Sequence, residues 1–349
     1  MGCSSFFYAD RRKYAVSFAC FRSYLYLCSQ MKRLLLLLLA FVALLLPAVS
    51  QHLAVGDTIA IISPSSATDT ATINGGVRTL QSWGFPCVVA PHALDDYRGF
   101  AGTADERLSD LLWALRAPHI RAIMCSRGGD GAVQLLCQLP PDTLRRYAKP
   151  IIGFSDVTAL LSAQASVGTQ GIHGSMCHAI ATYHGTDTVS QALRHMMMGD
   201  MPVYHLPPHA LNQQGRAEGI LVGGNMSVLH GLAGSAYDPL LLPDIILFVE
   251  DTGEGISKVD RMLHNIELRG LMSHVRGIIV GQFTKYKHPD GGFEDMNDMF
   301  HEYLQRYDIP VCYDFPVGHS HLRNFPLPVG CHTTLVINTE GTTLTFTKN

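Results

Sequence analysis

The sequence predicts an α/β protein with a parallel sheet covered on both faces, followed by a smaller β/α unit. Three observations carry this. From Asp57 onward short apolar runs alternate with helix-like segments. The alternation breaks over residues 181–215, where His, Pro, Gly and Gln are mixed. It then resumes from 216 to 349. Strands alternating with helices place successive strands side by side and parallel, with the helices on the two faces.

The elements follow in order. "TIAIIS" reads as a strand, followed by a helical stretch to Trp83. "CVVA" is a second strand, and "ADERLSDLLWALRA" has the apolar spacing of an amphipathic helix. "IRAIMCS" is a third strand and "GAVQLLCQL" a helix. In "KPIIGFSDVTALL", Ile151, Ile152 and Phe154 form a short buried strand, while Val157, Leu160 and Leu161 recur at helical spacing. After the connector, "GILVGGN", "DIILFVED", "VRGIIVGQF" and "IPVCYDF" are strands, and "KVDRMLHNIELRG" is a helix. "TTLVINTEGTTLTFT" alternates apolar and polar residues around a turn at Thr339 to Gly341, the pattern of a hairpin.

The 349 residues suit two domains, with boundaries expected at 51–180, 181–215 (connector) and 216–349. A net charge of −3 without any like-charged run leaves no footprint for nucleic acid. The leader, residues 1–50, has a different character. "MKRLLLLLLAFVALLLPAVSQ" has a basic start, an apolar run and small residues at Ala48 and Ser50, the pattern of a signal peptide over 31–50. An uncleaved anchor is the competing reading. Met31 is an alternative start, which would leave residues 1–30 outside the protein. Export, to the periplasm if the cell has one, is expected from this leader, and a cytoplasmic location if it does not function. The six cysteines beyond it (Cys87, Cys125, Cys137, Cys177, Cys312, Cys331) are scattered, mostly in apolar segments. They read as buried thiols, with neither zinc spacing nor an assignable disulfide.

Ligands of parallel sheets gather at the carboxyl ends of the strands, where Ser63, Arg127 and Ser155 fall. Ser155 stands at a strand-to-helix corner, which can hold a hydroxyl clear of the sheet beside helix-initiating N–H groups. An ordinary turn capped by Ser155 or Asp156 is the alternative. A serine nucleophile needs a histidine, a carboxylate to orient it and donors for the oxyanion. Glu250 closes the strand "IILFVE", and His319 sits in the glycine-flanked "PVGHSH". "SRGGDG", from Ser126 to Gly131, is a turn whose glycines allow a ligand to approach main-chain N–H groups, or simply a tight connection. "GGN" at Gly223 to Asn225 is a third glycine turn, open between bulge, turn and substrate contact. His173 in "GIHGSM" reads as structural, and Met196, Met197 and Met198 as helix surface or core.

Taken together, "GDTIAIISPSS", "SRGGDGAVQLL", "KPIIGFSDVTALL", "GIHGSM", "GILVGGNMSVL", "ILFVEDTGEGISKVDRML", "GIIVGQF" and "FPVGHSHLRNFPLPVG" resemble, in order, the LD-carboxypeptidase family of serine peptidases (muramoyltetrapeptide carboxypeptidases). The resemblance spans about Gly56 to Gly330. It implies a Rossmann- or flavodoxin-like N-terminal domain, a smaller C-terminal β/α domain and a site in the cleft between them. It implies Ser155 as nucleophile, Glu250 orienting the histidine, and His319 as general base and acid. Backbone N–H groups of Asp156 and Gly129 would form the oxyanion hole. By charge and position Arg127 is a candidate to recognise the terminal carboxylate, with Gly128 and Asn225 as further candidate substrate contacts. It further implies a homodimer, no metal or cofactor, and a muropeptide substrate from which terminal D-alanine is hydrolysed. Two positions depart from the family pattern: Asp130 stands where an aromatic residue is usual, and Ser175 where proline is common. Two alternatives remain. One is a same-fold hydrolase of peptide-nucleotide, microcin-like antibiotics; the other is an exported binding protein without catalysis.

Overall fold

The computed structural model describes Lys32 and residues 52–347. Apart from Lys32, the leader expected over residues 31–50 lies outside the described residues. No helix among the described residues is long and apolar enough to cross a membrane.

The first sheet is built by β1 (Thr58–Ile62), α1 (Thr70–Ser82), β2 (Cys87–Val89), α2 (Ala104–Arg116), β3 (Ile120–Cys125), α3 (Ala132–Leu136), α4 (Pro141–Arg146), β4 (Ile151–Gly153), α5 (Thr158–Ser166) and β5 (Gly171–His173). The strands run parallel in the order β2–β1–β3–β4–β5. That is the flavodoxin-type order, in which successive crossovers of one hand cover both faces. Local chemistry sets the helix starts. The Asp69 carboxylate accepts from Thr72 N at the start of α1. Thr103 and Glu106 cap each other's backbone at the start of α2. Each such cap contributes about 1 kcal/mol. The helix expected over "GAVQLLCQL" covers only Ala132–Leu136, because Pro140 and Pro141 lie just beyond and Pro141 opens α4 instead.

The second half comprises α6 (Cys177–Thr182), α7 (Thr188–Met197), β6 (Tyr204–Leu206), β7 (Gly215–Asn225), α8 (Met226–Gly231), β8 (Ile245–Thr252), α9 (Ile256–Leu268), β9 (Val275–Thr284), α10 (Met296–Leu304), β10 (Val311–Cys312), β11 (Leu327–Val329), β12 (His332–Asn338) and β13 (Gly341–Phe346). Its sheet has the order β10–β9–β8–β7–β12–β13–β6. The first four strands are parallel, and the last three add in antiparallel fashion. The expected C-terminal hairpin is β12–β13.

Two features depart from the boundaries expected from the sequence. The segment 181–215 holds α7 and β6, and β6 pairs with β13. Its helix is started by Asp187, whose carboxylate accepts from Ser190 N, and it buries Leu193, Met196 and Met197. The other departure is β11, a three-residue strand from the C-terminal half that pairs antiparallel with β5 and completes the first sheet. Three residues with a central proline carry too little period-two signal to be read as a strand.

Helix α5 explains why the two sheets hold one another. Eight of its residues, Thr158 to Ala165, are buried, so it is enclosed on every side and packs against β4, β5 and β7. A helix of this kind has no solvent face and must sit between layers. Fully burying Leu160 or Leu161 contributes about 2 kcal/mol each. Asn225 N also donates to Thr158 Oγ1 across the two halves (3.0 Å). The helix that carries the Ser155 corner is thereby locked against β7, beside the strand that bears Glu250.

Candidate active site

Ser155 leaves β4 with φ of +62°, a left-handed conformation that a non-glycine residue adopts only when the surrounding structure enforces it. A 3-10 turn over Ser155–Val157 follows directly and runs into α5. The Ser155 residue is half-buried. The neighbouring turn is shaped around it. A Cβ on Gly128 would stand 2.9 Å from Ser155 Cβ and 3.1 Å from Ser155 Oγ. Gly129 adopts φ of +118° beside Ser66, whose Oγ accepts from Asp130 N (3.1 Å).

Glu250 is reached from the other sheet. It is fully buried near the end of β8, and its Oε2 lies 2.6 Å from His319 Nδ1. His319 follows Gly318, which has φ of +142°; a Cβ there would stand 2.9 Å from Gln282 Cβ and 3.3 Å from Glu250 Cβ. Only a glycine lets the loop come close enough for the pair to form. Burial works against a charged His319, but the hydrogen bond and charge of Glu250, with the charge of Asp251, outweigh it. The His319 pKa therefore stands above the ordinary imidazole value. Burial pushes the Glu250 carboxyl up, offset in part by His319. A neutral His319 that donates Nδ1–H to Glu250 keeps a lone pair on Nε2, and Nε2 is buried without a partner among the described residues. Such a nitrogen can take up a proton.

The two pieces meet through Phe154, whose ring lies 5.1 Å from that of His319. His319 Nε2 and Ser155 Oγ are not hydrogen-bonded to each other. Phe154, His319 and Asn324 line a cleft of about 200 Å³ together with Ser175, His178, Thr182 and Tyr183 on α6 and its flanks.

The remaining residues named from the sequence fall in different places. Asp156 is buried, and its side chain accepts from Ser65 Oγ (2.6 Å) and Ala132 N (2.8 Å). Arg127 is exposed and donates to Ala67 O (3.3 Å). Asn225 is buried and faces inward: Nδ2 donates to Asp251 (2.9 Å), while Oδ1 accepts from Ser227 Oγ and Val228 N at the start of α8. Ser63 is buried against Ser126 (2.7 Å). His173 is wholly buried, and its Nε2 lies 3.1 Å from Asn324 Oδ1. Burial pulls its pKa down to about 3, so it stays neutral. Met196 and Met197 are core, and Met198 is at the surface. Among the described residues the six cysteines are unpaired, four of them buried.

Sequence reading missed Asn324, which ties the site together by accepting from Gly318 N (3.2 Å) while meeting His173. It also missed Arg107, buried within α2. A charge on the same helical stripe as Leu111 and Ala114 was the available signal. No comparable signal marks Asn324, whose role depends on two distant segments meeting.

The comparisons with known proteins agree with this architecture. Residues 59–174 match the family profile described as the LD-carboxypeptidase N-terminal domain, and residues 218–335 match the C-terminal domain of the same family. The chain is 32% identical over 282 residues to the murein tetrapeptide carboxypeptidase of Pseudomonas aeruginosa, covering 75% of this chain and 88% of that protein. It is 29% identical over 330 residues to the microcin C7 self-immunity protein MccF of Escherichia coli, covering 81% and 92%. Among solved structures, the muramoyltetrapeptide carboxypeptidase of Oxalobacter formigenes superposes with a TM-score of 0.75 at 26% identity, covering 83% of this chain and 99% of that one. Matched along both halves by one family's profiles and along nearly the whole length of its relatives, the chain belongs to the LD-carboxypeptidase family of serine peptidases.

Proposed function

We propose that this protein is a serine LD-carboxypeptidase that releases terminal D-alanine from peptidoglycan tetrapeptides through Ser155, His319 and Glu250. The observation that carries the reading is the buried Glu250–His319 pair, with Nε2 bare and Phe154 joining it to the Ser155 corner. The similarity to a murein tetrapeptide carboxypeptidase supports the substrate class.

In this reading His319 Nε2 takes the Ser155 proton as Oγ attacks the carbonyl on the L-centre. Glu250 holds the ring and stabilises the imidazolium that results. The amides of Asp156 and Gly129 receive the oxyanion. Collapse breaks the amide bond, and His319 returns the proton to the amine of D-alanine as it departs. Water, activated by the same nitrogen, then hydrolyses the acyl-enzyme and frees the tripeptide.

Mass spectrometry of a defined tetrapeptide muropeptide incubated with the protein, beside Ser155→Ala, tests this. Loss of one terminal D-alanine by the wild type alone is the expected result, with the variant slower by about 10³-fold or more. Loss by both would remove Ser155 from the role of nucleophile. Loss by neither, in folded samples, would remove the substrate, and a peptide-nucleotide substrate run in parallel would identify the MccF type of reaction.

A further inference from the structure

The segment Pro64–Ser65 and the end of the turn beside Ser155, Gly131–Ala132, are each gripped twice by a pair of buried opposite charges. Arg107, 2% exposed, donates through Nη1 to Pro64 O (2.6 Å) and to Gly131 O (2.9 Å). Asp156 accepts at Oδ2 from the very next residues, Ser65 Oγ (2.6 Å) and Ala132 N (2.8 Å). The cation holds the carbonyls and the carboxylate holds the donors of the same two chain segments. Arg107 is itself fixed by Gln134 Oε1 (2.5 Å), by Gly102 O (3.3 Å) and by the Phe100 ring, 5.0 Å away. Gly131 has φ of +115°, and a Cβ there would stand 2.6 Å from Arg107 Nη1, so the turn is fitted to the guanidinium. Burial pushes the Asp156 carboxyl up, and Arg107 is among the groups that hold it down.

We propose that Arg107 and the Asp156 side chain form a positioning clamp that sets the spacing between the Ser155 corner and the Gly128–Gly131 turn, and hence between the two oxyanion donors. This rests on the reading of the Asp156 and Gly129 amides as those donors. The physical need is plain. Two backbone amides on separate loops stabilise a developing oxyanion only if their separation is held to a fraction of an ångström before reaction. Pro64, Ser65 and the Gly128–Gly131 turn lie outside helices and strands, with backbone pairing limited to Ala101 N on Ser65 O beside the Ser66–Phe100 bridge and to the start of the following helix. The four hydrogen bonds from these segments to a guanidinium and a carboxylate, both buried, supply the stiffness. Charge-assisted bonds are stronger than neutral ones. Asp156 thus contributes twice, its amide to the reacting oxygen and its carboxylate to the clamp.

The test compares Arg107→Lys, Asp156→Asn and Ser65→Ala with Arg269→Ala. The last breaks an ion pair to the buried Asp238 in the second half and serves as the control for stability loss alone. Active sites are counted first, by titration with an alkyl phosphonofluoridate that phosphonylates Ser155 with loss of fluoride. The expected result is a fall in kcat per active site of about 10- to 100-fold in Arg107→Lys and Asp156→Asn, with KM changed by less than about threefold. Ser65→Ala, which removes one bond and leaves both charges, should fall by roughly 3- to 10-fold. The rate of phosphonylation, which uses the same oxyanion donors and no muropeptide, should fall in parallel. Arg269→Ala should lower Tm and leave both rates per site within about twofold. If the clamp variants behave like Arg269→Ala, the clamp is only structural and the proposal fails. If the wild type is inert on the tetrapeptide but phosphonylated normally, the substrate reading fails, and the phosphonylation series alone decides the clamp. Should the two charge variants not fold, Ser65→Ala decides it: unchanged rates overturn the proposal.

Discussion

The two halves of the molecule prepare their share of the site by opposite means. The first sheet delivers Ser155 through backbone geometry: a left-handed residue at a strand exit, a glycine turn pressed against it, and two charges gripping the loops around. The second delivers Glu250 and His319 through side-chain electrostatics: a carboxylate on a regular strand, wholly buried, with an imidazole at 2.6 Å. On the proposed mechanism Ser155, as nucleophile, needs a rigid corner, which its left-handed backbone and the gripped loops around it give. His319, as base, needs orientation and tuning, which the buried Glu250 gives. The two halves should therefore fail in different ways when altered.

Glu250→Gln should show the largest effect of the substitutions that separate them, a fall in kcat of about 10³- to 10⁴-fold, with Ser155 phosphonylation equally slowed. Its pH profile sharpens the point. Glu250 raises the His319 pKa, and His319 must be neutral to accept a proton. The wild-type kcat/KM should thus rise with pH through a midpoint above the ordinary imidazole value. In the variant that limb should move to lower pH, and an unmoved limb would show that Glu250 does not tune His319.

Gly128→Ala and Gly318→Ala form the next comparison. The first places a Cβ against the Ser155 hydroxyl, the second against Gln282 and Glu250. Each should lower kcat by about tenfold or more. Gly318→Ala, with φ of +142° and backbone in the way, should also lose about 1–3 kcal/mol of stability, read from denaturant midpoints. Equal stability losses in the two would show that the positive φ and the backbone contact at Gly318 carry no cost of their own.

A last comparison, one of stability alone, concerns His173, which lies where the halves touch, against Phe154, Phe248 and Asn324. Burial holds its pKa at about 3, with Asn324 partly opposing and the His319 charge adding to the depression. The unfolded chain binds this proton below about pH 6.5 and the folded one does not. The contribution to stability is therefore complete above that pH and declines as pH falls toward 3, on the order of 1 kcal/mol per pH unit. Unfolding midpoints at about pH 7 and about pH 4.5 should converge in His173→Phe relative to the wild type. An unchanged slope would mean that acid sensitivity arises elsewhere.

Much of this architecture is legible in the sequence. The parallel sheet follows from short apolar runs alternating with amphipathic ones. Ser155 follows the end of its apolar run closely, whereas the strand bearing Glu250 runs on to Thr252 and β10 stops at Cys312, leaving His319 in the loop seven residues beyond. Local periodicity survives in sequence because each strand and helix must bury one face whatever its neighbours are. The sequence did not reveal β11, α7, the inward-facing Asn225 or the Asn324 bridge. A three-residue strand has no local period, and neither does a side chain bonded to a residue 151 positions away.

The sequence by itself determined the kind of elements, their order, and the chemistry available at the strand ends. Tertiary structure alone decided that Ser155 takes a positive φ, that Glu250 reaches His319 and raises its pKa against their burial, and that Arg107 lies inside rather than on a surface face. The reason is physical. Strain, desolvation and long-range hydrogen bonds are properties of what surrounds a residue, and a linear pattern records only the residue.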